Sequence, residues 1–201
     1  MMYYSEKYKS QWWLPPRTAS RMVKKILLSL EFIEQDGHHT FSIKNRYWDL
    51  NVLIRNPYSR AVSYWLLNNE RYYNTNRFIT FSESVYKLND YLRDLHVGDF
   101  KNPSTILVSK KIQNYNLIRY ESLFDDLMKI SYIKENQMEL REELSIFDLG
   151  NAPWRKDRPK ELIKPYYQFY TQELADIFYT QKQSEFDLGN YHRDSWKTLV
   201  K

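Results

Sequence analysis

The apolar positions in the first part of the chain switch between the spacing of a strand and the spacing of a helix. An apolar run at residues 8–14 ends at two prolines and predicts a strand, and residues 19–32 then carry apolar side chains at helical spacing. A second strand is predicted at residues 39–43, and a third at residues 51–54, where a short apolar run stops before Asn56. This part of the chain therefore predicts strands that alternate with helices.

The same alternation continues toward the end of the chain. Asn56 can cap a helix in which Pro57 takes the first position, and this helix should extend to about residue 69. Residues 85–95 predict another amphipathic helix, and residues 117–119 predict a fourth strand that leads into a helix. A last helix is predicted near the C-terminus. The inward positions of these helices are, in chain order, Ala61, Val62, Trp65 and Leu66, then Leu123, Phe124, Leu127 and Met128, then Ile163, Tyr166, Tyr170, Leu174 and Ile177.

Alternating strands and helices are typical of an α/β fold, here with three layers in which a mainly parallel central sheet is flanked by helices. In such a sheet a ligand binds beyond the carboxyl ends of the strands. A length of 201 residues suits one domain, so we expect residues 1–201 to form a single domain.

The composition limits the kinds of protein and of chemistry that this chain can represent. With 42% hydrophobic and 27% charged residues the chain has the profile of a folded protein, and the absence of cysteine excludes a disulfide framework, a thiolate metal site and a thiol nucleophile. No apolar stretch approaches the roughly 20 residues of a membrane-spanning helix. We therefore expect a cytoplasmic protein with no membrane span. The net charge of +5 favours polyanionic partners, although basic residues spread along the chain are equally well explained as a solvated surface.

A polar and basic cluster stands between the first predicted strand and the first predicted helix. Arg17, Thr18 and Ser20 lie where unpaired backbone amides and the positive end of the helix dipole converge, an arrangement that binds anions. The alternative is that Thr18 or Ser20 only caps the helix while Arg17 and Arg21 face water. The loop is not the phosphate loop of nucleotide kinases, because the chain has four glycines and no G-x-x-x-x-G-K-[ST] pattern. A bound magnesium ion is likewise not demanded.

A second candidate anion site follows the third predicted strand. Arg55 ends that strand and Ser63 lies about two turns into the next helix, so both side chains could reach one anion beside the sheet edge. The alternative is a capped helix with an incidental Arg55 and a surface Ser63.

Together these two segments resemble the cofactor-binding signatures of the sulfotransferases that use 3′-phosphoadenosine 5′-phosphosulfate (PAPS). The string PRTASRM is similar to the first signature, which reads like PKTASTS or PKSGTT, and RNPYSRAVSY fits the second signature throughout. The chain is most similar to the glycan uronosyl 2-O-sulfotransferases and to small microbial or viral relatives, whose intervening GH and aromatic residue are matched by Gly37, His38 and Phe41. Weaker likenesses in IRYESLFDDL and YYQFYTQELADIF extend the resemblance over most of the chain.

The resemblance implies a fold like that of the P-loop NTPases. It also implies an enzyme that transfers a sulfuryl group from PAPS to a hydroxyl acceptor without a metal, leaving 3′,5′-adenosine bisphosphate as the product. By the same resemblance Arg55 and Ser63 bind the 3′-phosphate of the cofactor. The residues that would wrap its 5′-phosphosulfate are Arg17, Thr18, Ala19, Ser20, Arg21 and Met22. Three of these depart from the family pattern, since Arg17 stands where lysine is commoner, and Arg21 and Met22 replace hydroxyl residues.

The expected chemistry needs charge neutralisation and a base. Arg17 would neutralise the leaving 5′-phosphate, and His38 is preferred as the general base because an imidazole titrates near neutrality. His39 is the competitor, since adjacent residues of a strand point to opposite faces. Arg155 and Lys156, in a polar loop near the end of the chain, are candidates to close over nucleotide or acceptor, with an ordinary solvated loop as the equal alternative.

Other classes of protein stay open. The basic charge and the aromatic residues Trp12, Trp13, Tyr72 and Tyr73 would suit a nucleic-acid-binding module. A P-loop-like nucleotide kinase and a sulfotransferase fold kept only for binding are further alternatives. For the sulfotransferase we expect no nucleic-acid partner and a hydroxyl-bearing acceptor, with a carbohydrate favoured by the resemblance. The sequence leaves the oligomeric state open.

Overall fold

The computed structural model of the chain describes residues 1–35, 41–73, 103–140 and 165–198. These residues group into two compact units. The sheet unit takes the described residues of Met1–Arg55 and Lys101–Leu149, and the helical unit takes those of Asn56–Phe100 and Gly150–Lys201. The expectation of a single domain over residues 1–201 stays a prediction.

The sheet unit is built on five strands. They are β1 (Met2–Ser5), β2 (Ser10–Trp13), β3 (Ile33–Glu34), β4 (Asp49–Ile54) and β5 (Asn116–Arg119). Their spatial order is β3-β1-β2-β4-β5, in which β1 pairs antiparallel with β2 and β3, whereas β4 pairs parallel with β2 and β5. The α/β class predicted from the sequence is therefore confirmed, with a mixed sheet in place of a mainly parallel one among the described strands.

The helices complete both units. In chain order they are α1 (Ser20–Ser29), α2 (Pro57–Tyr73), α3 (Pro103–Ser109), α4 (Leu123–Leu127), α5 (Ser131–Glu135) and α6 (Gln172–Gly189). Short 3₁₀ helices occur at Tyr120–Ser122, Tyr166–Phe169 and Ser195–Thr198. Within the described ranges, none of these helices combines the length and the apolar character that crossing a membrane requires.

Three predicted strands are present, as β2, β4 and β5, but residues 41–43 do not form the predicted second strand. Residues 39 and 40 lie outside the described residues. The backbone that directly follows these residues bonds to the Gln11 side chain. The Gln11 carboxamide accepts a hydrogen bond from the Lys44 amide at 2.9 Å and donates one to the Asn45 carbonyl at 2.7 Å. These two backbone groups are therefore paired without a neighbouring strand.

The apolar core of the sheet unit lies between the strands and α1. Val23, Ile26 and Leu27 of α1 are fully buried, as the helical spacing predicts. In α4, Leu123 and Leu127 are buried, but the prediction that Phe124 faces inward is wrong, because 42% of its surface is exposed. The helix is a single short turn, so its inward face admits fewer side chains than the sequence spacing suggested.

A buried polar network links α5 to the amino ends of three strands. The Tyr132 hydroxyl lies 2.9 Å from the Ser10 hydroxyl and accepts a hydrogen bond from the Trp12 indole at 2.8 Å. Asn51 donates to Ser10 at 3.0 Å, and Asn116 donates to Asn51 at 3.1 Å. Burial raises the pKa of Tyr132 to about 12, so the hydroxyl stays neutral and keeps these contacts at physiological pH.

The helical unit has a core of aromatic side chains between α2 and α6. Ala61, Val62 and Trp65 are buried there, as predicted. Tyr58 donates to the Arg193 carbonyl at 2.8 Å, and Tyr170 donates to the Tyr58 carbonyl at 2.9 Å. These bonds satisfy polar groups that the core encloses.

The last predicted helix begins later in the structure than its apolar pattern indicated. Tyr166 belongs to a 3₁₀ helix, and α6 begins after Thr171, whose hydroxyl accepts from the Leu174 amide at 3.2 Å. The threonine therefore caps α6 and sets its start. Ile163 lies outside the described residues.

Candidate functional site

The loop between β2 and α1 has an uncommon main-chain conformation. Arg17 and Ala19 both have positive φ angles, 67° and 66°, although neither is glycine. The left-handed region costs an L-residue about 1–2 kcal/mol, so the surrounding structure must hold the loop in place. Pro16 has no amide hydrogen, so the backbone donors that this loop can offer to an anion begin at Arg17.

The Thr18 side chain lies inside this loop and bonds to a residue near the start of the loop. Its side chain is fully buried, and its hydroxyl donates a hydrogen bond of 2.7 Å to the Pro15 carbonyl. A hydroxyl has one proton to donate. In this arrangement Thr18 can therefore contribute its backbone amide to an anion, but not a hydroxyl hydrogen bond.

The N-terminus of α1 has no side-chain cap. Ala19 is the capping residue, and its carbonyl accepts hydrogen bonds from the amides of Met22 and Val23. The alternative in which the side chain of Thr18 or Ser20 caps α1 is therefore not what the structure contains. The positive end of the helix keeps its capacity to interact with an anion.

Arg55 lies beside this loop, directly after β4. Its Nη1 donates to the Arg17 carbonyl at 3.3 Å, and its guanidinium carbon is 4.4 Å from the centre of the Tyr120 ring. Because β2, β4 and β5 are parallel neighbours, their carboxyl ends meet at one edge of the sheet, which brings the three segments together. Arg55, the first residue of the second segment, thus contacts the first segment within the sheet unit.

The electrostatics of this edge favour a negatively charged ligand. The Arg55 side chain is 8% exposed and presents a rigid fork of donors, while the Arg17 side chain is partly exposed beside it. Hydrogen bonds from guanidinium and backbone amides to phosphate or sulfate oxygens are among the stronger ones in proteins. Chemically, the edge can bind a phosphate or sulfate group and neutralise charge that develops on it.

The remaining predicted residues of the loop differ in exposure. Ser20 and Met22 are partly buried at the start of α1, and Arg21 is exposed. Ser63 is a buried residue of α2 in the helical unit. That Ser63 shares an anion with Arg55 stays a prediction.

Four predicted residues lie outside the described residues. They are His38, His39, Arg155 and Lys156. The choice of base and the role of the late basic loop therefore stay predictions.

The sequence reasoning gave no role to Tyr120, whose ring lies against Arg55. Tyr120 starts the short 3₁₀ helix after β5, and Asp126 fixes that turn by accepting from the Arg119 amide at 2.9 Å and from the Ser122 hydroxyl at 3.0 Å. The signal was present in the chain, because an aromatic residue that directly follows a parallel strand lies at the ligand edge of the sheet.

Asp126 is ionised in this turn although it is buried. Burial by itself would raise its pKa, but hydrogen bonds from Lys129, the Arg119 amide and Ser122 outweigh burial and lower the pKa below its usual value. The carboxylate therefore stabilises the turn that carries Tyr120.

Within the described residues, no three histidine, aspartate or glutamate side chains gather as metal ligands would. In comparisons with protein-family models, with curated proteins and with solved structures, no significant match to the chain was found.

Proposed function

We propose that the protein is a sulfotransferase that moves a sulfuryl group from PAPS to a hydroxyl group, with a carbohydrate as the acceptor. The observation that carries the proposal is the hydrogen bond from Arg55 to the Arg17 carbonyl, which joins two segments 38 residues apart. Each of these segments resembles one of the two PAPS-binding signatures. Their meeting at the carboxyl ends of parallel strands is where an α/β fold binds its ligand.

Within this proposal the loop and the arginine have separate tasks. The loop from Arg17 to Met22 and the uncapped end of α1 would hold the 5′-phosphosulfate, and Arg55 with Ser63 would hold the 3′-phosphate. The fold would then be the sulfotransferase variant of the P-loop NTPase fold, with β1 and β3 as antiparallel additions to the parallel strands.

The chemistry is an in-line displacement. The acceptor oxygen forms a bond to sulfur as the bond between sulfur and the 5′-phosphate oxygen breaks, and the electron pair of that bond leaves with the phosphate. Arg17 and the helix-end amides would stabilise the charge on this leaving group. His38 would take the proton of the acceptor hydroxyl, with His39 as the competitor.

A thermal-shift panel tests the proposal directly. Preferential stabilisation by 3′,5′-adenosine bisphosphate over ADP is the expected result, because binding to the native state at about 100 times Kd adds about 2.7 kcal/mol of stability. Preference for ADP with magnesium would favour a kinase, and a response to oligonucleotides alone would favour a nucleic-acid-binding module.

A further inference from the structure

A second cationic site lies at the other end of the sheet. A cavity of about 660 Å³ opens at the amino ends of β2 and β4, with Gln11 and Leu50 at its base and the segments 43–48 and 110–114 as its walls. Arg55 lies five positions after Leu50, which is about 16 Å in an extended strand. The cavity is therefore distinct from the loop that begins at Arg17.

The charged side chains that line the cavity are all positive. They are Lys44, Arg46, Lys110 and Lys111, and none of the described residues that line it is acidic. None of these four side chains has an ion-pair partner in the described part of the chain. Cations that share a site repel one another, and an anion bound among them would offset that repulsion.

One wall of the cavity is held by a buried polar side chain. Gln11 is 1% exposed, and its carboxamide bonds to the main chain at Lys44 and Asn45. Lys44 and Arg46 are thereby carried on a segment whose backbone is already fixed. A preformed wall lowers the entropy cost of binding a ligand.

The other wall contains a lysine where glycine would be favoured. The amides of Lys111 and Ile112 donate to the carbonyls of Val108 and Leu107, the bonding pattern of a Schellman motif at the end of α3. Lys111 takes the left-handed position of that motif with φ 53°. A residue other than glycine is disfavoured in this conformation, so the chain carries this cation at a conformational disadvantage.

Apolar side chains also line the cavity. They are Ile43, Ile112 and the partly buried Trp48, whose ring also has Lys9 Nζ 5.6 Å from its centre. A tryptophan ring packs against a sugar or a nucleobase, and the cations around it suit charged substituents. The geometry points to a binding site for a small organic anion in which a ring carries two or more sulfate, phosphate or carboxylate groups.

Isothermal titration calorimetry with three probes tests this site. The probes are a persulfated disaccharide, a nucleoside triphosphate in saturating 3′,5′-adenosine bisphosphate, and inorganic tripolyphosphate, which has the charge but no ring. We expect at least one ring-bearing probe to bind about fivefold to tenfold more tightly than tripolyphosphate, because its ring can pack against an aromatic side chain of the cavity. The tighter of the two identifies the source of the anion, a sugar or a nucleotide.

Lys111→Gly separates a binding role from a structural one. It removes the cation and relieves the left-handed backbone, so we expect an unchanged or higher Tm together with about fivefold to tenfold weaker binding of that probe. Lys134→Ala, at an exposed lysine of α5, is the matched control and should leave binding unchanged. Wild-type affinity in Lys111→Gly, equal affinity for tripolyphosphate, or a strong preference for an oligonucleotide over all three probes would overturn the proposal.

Discussion

Arg55 shows how a single residue of the sheet unit is fixed before any ligand arrives. Arg55 is buried, with 8% of the residue exposed, and its guanidinium needs partners because leaving a charged donor unpaired in a buried site is costly. The Arg17 carbonyl supplies one partner, and the Tyr120 ring supplies a face that an arginine, but not a lysine, matches by its planarity. The identity of the residue therefore matters here, as well as its charge.

Arg55→Lys keeps the charge and removes both the planar fork and the stacking face. We expect the affinity for 3′,5′-adenosine bisphosphate to fall about tenfold to a hundredfold, because hydrogen bonds to charged groups contribute about 1.5–3 kcal/mol. Calorimetric titration measures the change, and Arg193→Lys, at an exposed arginine of the helical unit, is the matched control. Unchanged affinity in Arg55→Lys would remove this residue from the proposed site.

The two adjacent histidines give a second comparison between single residues. His38→Ala should lower sulfuryl transfer about a hundredfold or more, since a general base contributes on that order, and should leave the affinity for the bisphosphate unchanged. His39→Ala is the natural control and should keep most of the activity. Transfer from labelled PAPS to fractionated carbohydrate acceptors is the measurement, and the reverse pattern would assign the base to His39.

At the scale of elements, the turn after β5 depends on one carboxylate. Asp126 joins the end of the strand to α4 and thereby sets the position of Tyr120. Because its pKa is lowered in the folded state, its contribution to stability is present above its ordinary value of 3.8 and is lost as the pH falls through the folded value.

Asp126→Asn should therefore destabilise the protein by about 1–3 kcal/mol near neutral pH, the usual cost of leaving buried partners unsatisfied. The difference from wild type should shrink as the pH falls below about 4, where the wild-type carboxyl becomes protonated. Urea unfolding at a series of pH values measures this. Asp125→Asn, at the exposed neighbouring carboxylate, should have little effect at any of them.

The buried network at the other end of the strands gives a further prediction for an element. Tyr132→Phe removes the acceptor of the Trp12 indole and should cost about 1–3 kcal/mol of unfolding free energy. Tyr47→Phe, at a side chain that is 89% exposed, should change it by less than about 0.5 kcal/mol. Chemical denaturation of both variants measures these changes in unfolding free energy. A large cost for Tyr132→Phe beside a small one for Tyr47→Phe assigns the cost to the buried network and not to the loss of a hydroxyl group alone.

The sequence predicted those elements whose signals are local. The apolar runs of β2 and β4 and the Asn56-Pro57 start of α2 are each contained in a few residues. The end of α1 was not predicted, because Phe32 continues the apolar spacing and is buried, whereas the chain has already turned at Glu31, with φ 60°. Hydrophobic spacing cannot distinguish a helix from a turn that returns an apolar residue to the same core.

At the scale of the whole molecule, the strands and contacts that the sequence did not predict depend on partners that are distant in sequence. The strands β1 and β3 were not predicted from the sequence, and they form because β2 supplies a neighbour for β1, which in turn pairs with β3. The meeting of the Arg17 loop with Arg55 could be anticipated from the parallel strands, but its Tyr120 contact required the position of β5. The cationic cavity joins segments more than sixty residues apart in the chain, so no local pattern indicated it.

The absence of glycine from the loop after β2 has a consequence for how an anion would be received. Left-handed turns at Arg17 and Ala19 are established during folding, and the less flexible unfolded chain of a glycine-free loop makes that ordering less costly in entropy. A phosphate or sulfate group arriving there would meet a backbone whose left-handed positions the fold has already set, so its capture requires little rearrangement of that backbone. Recognition at this edge is then a matter of desolvation and charge, with the shape supplied in advance by the fold.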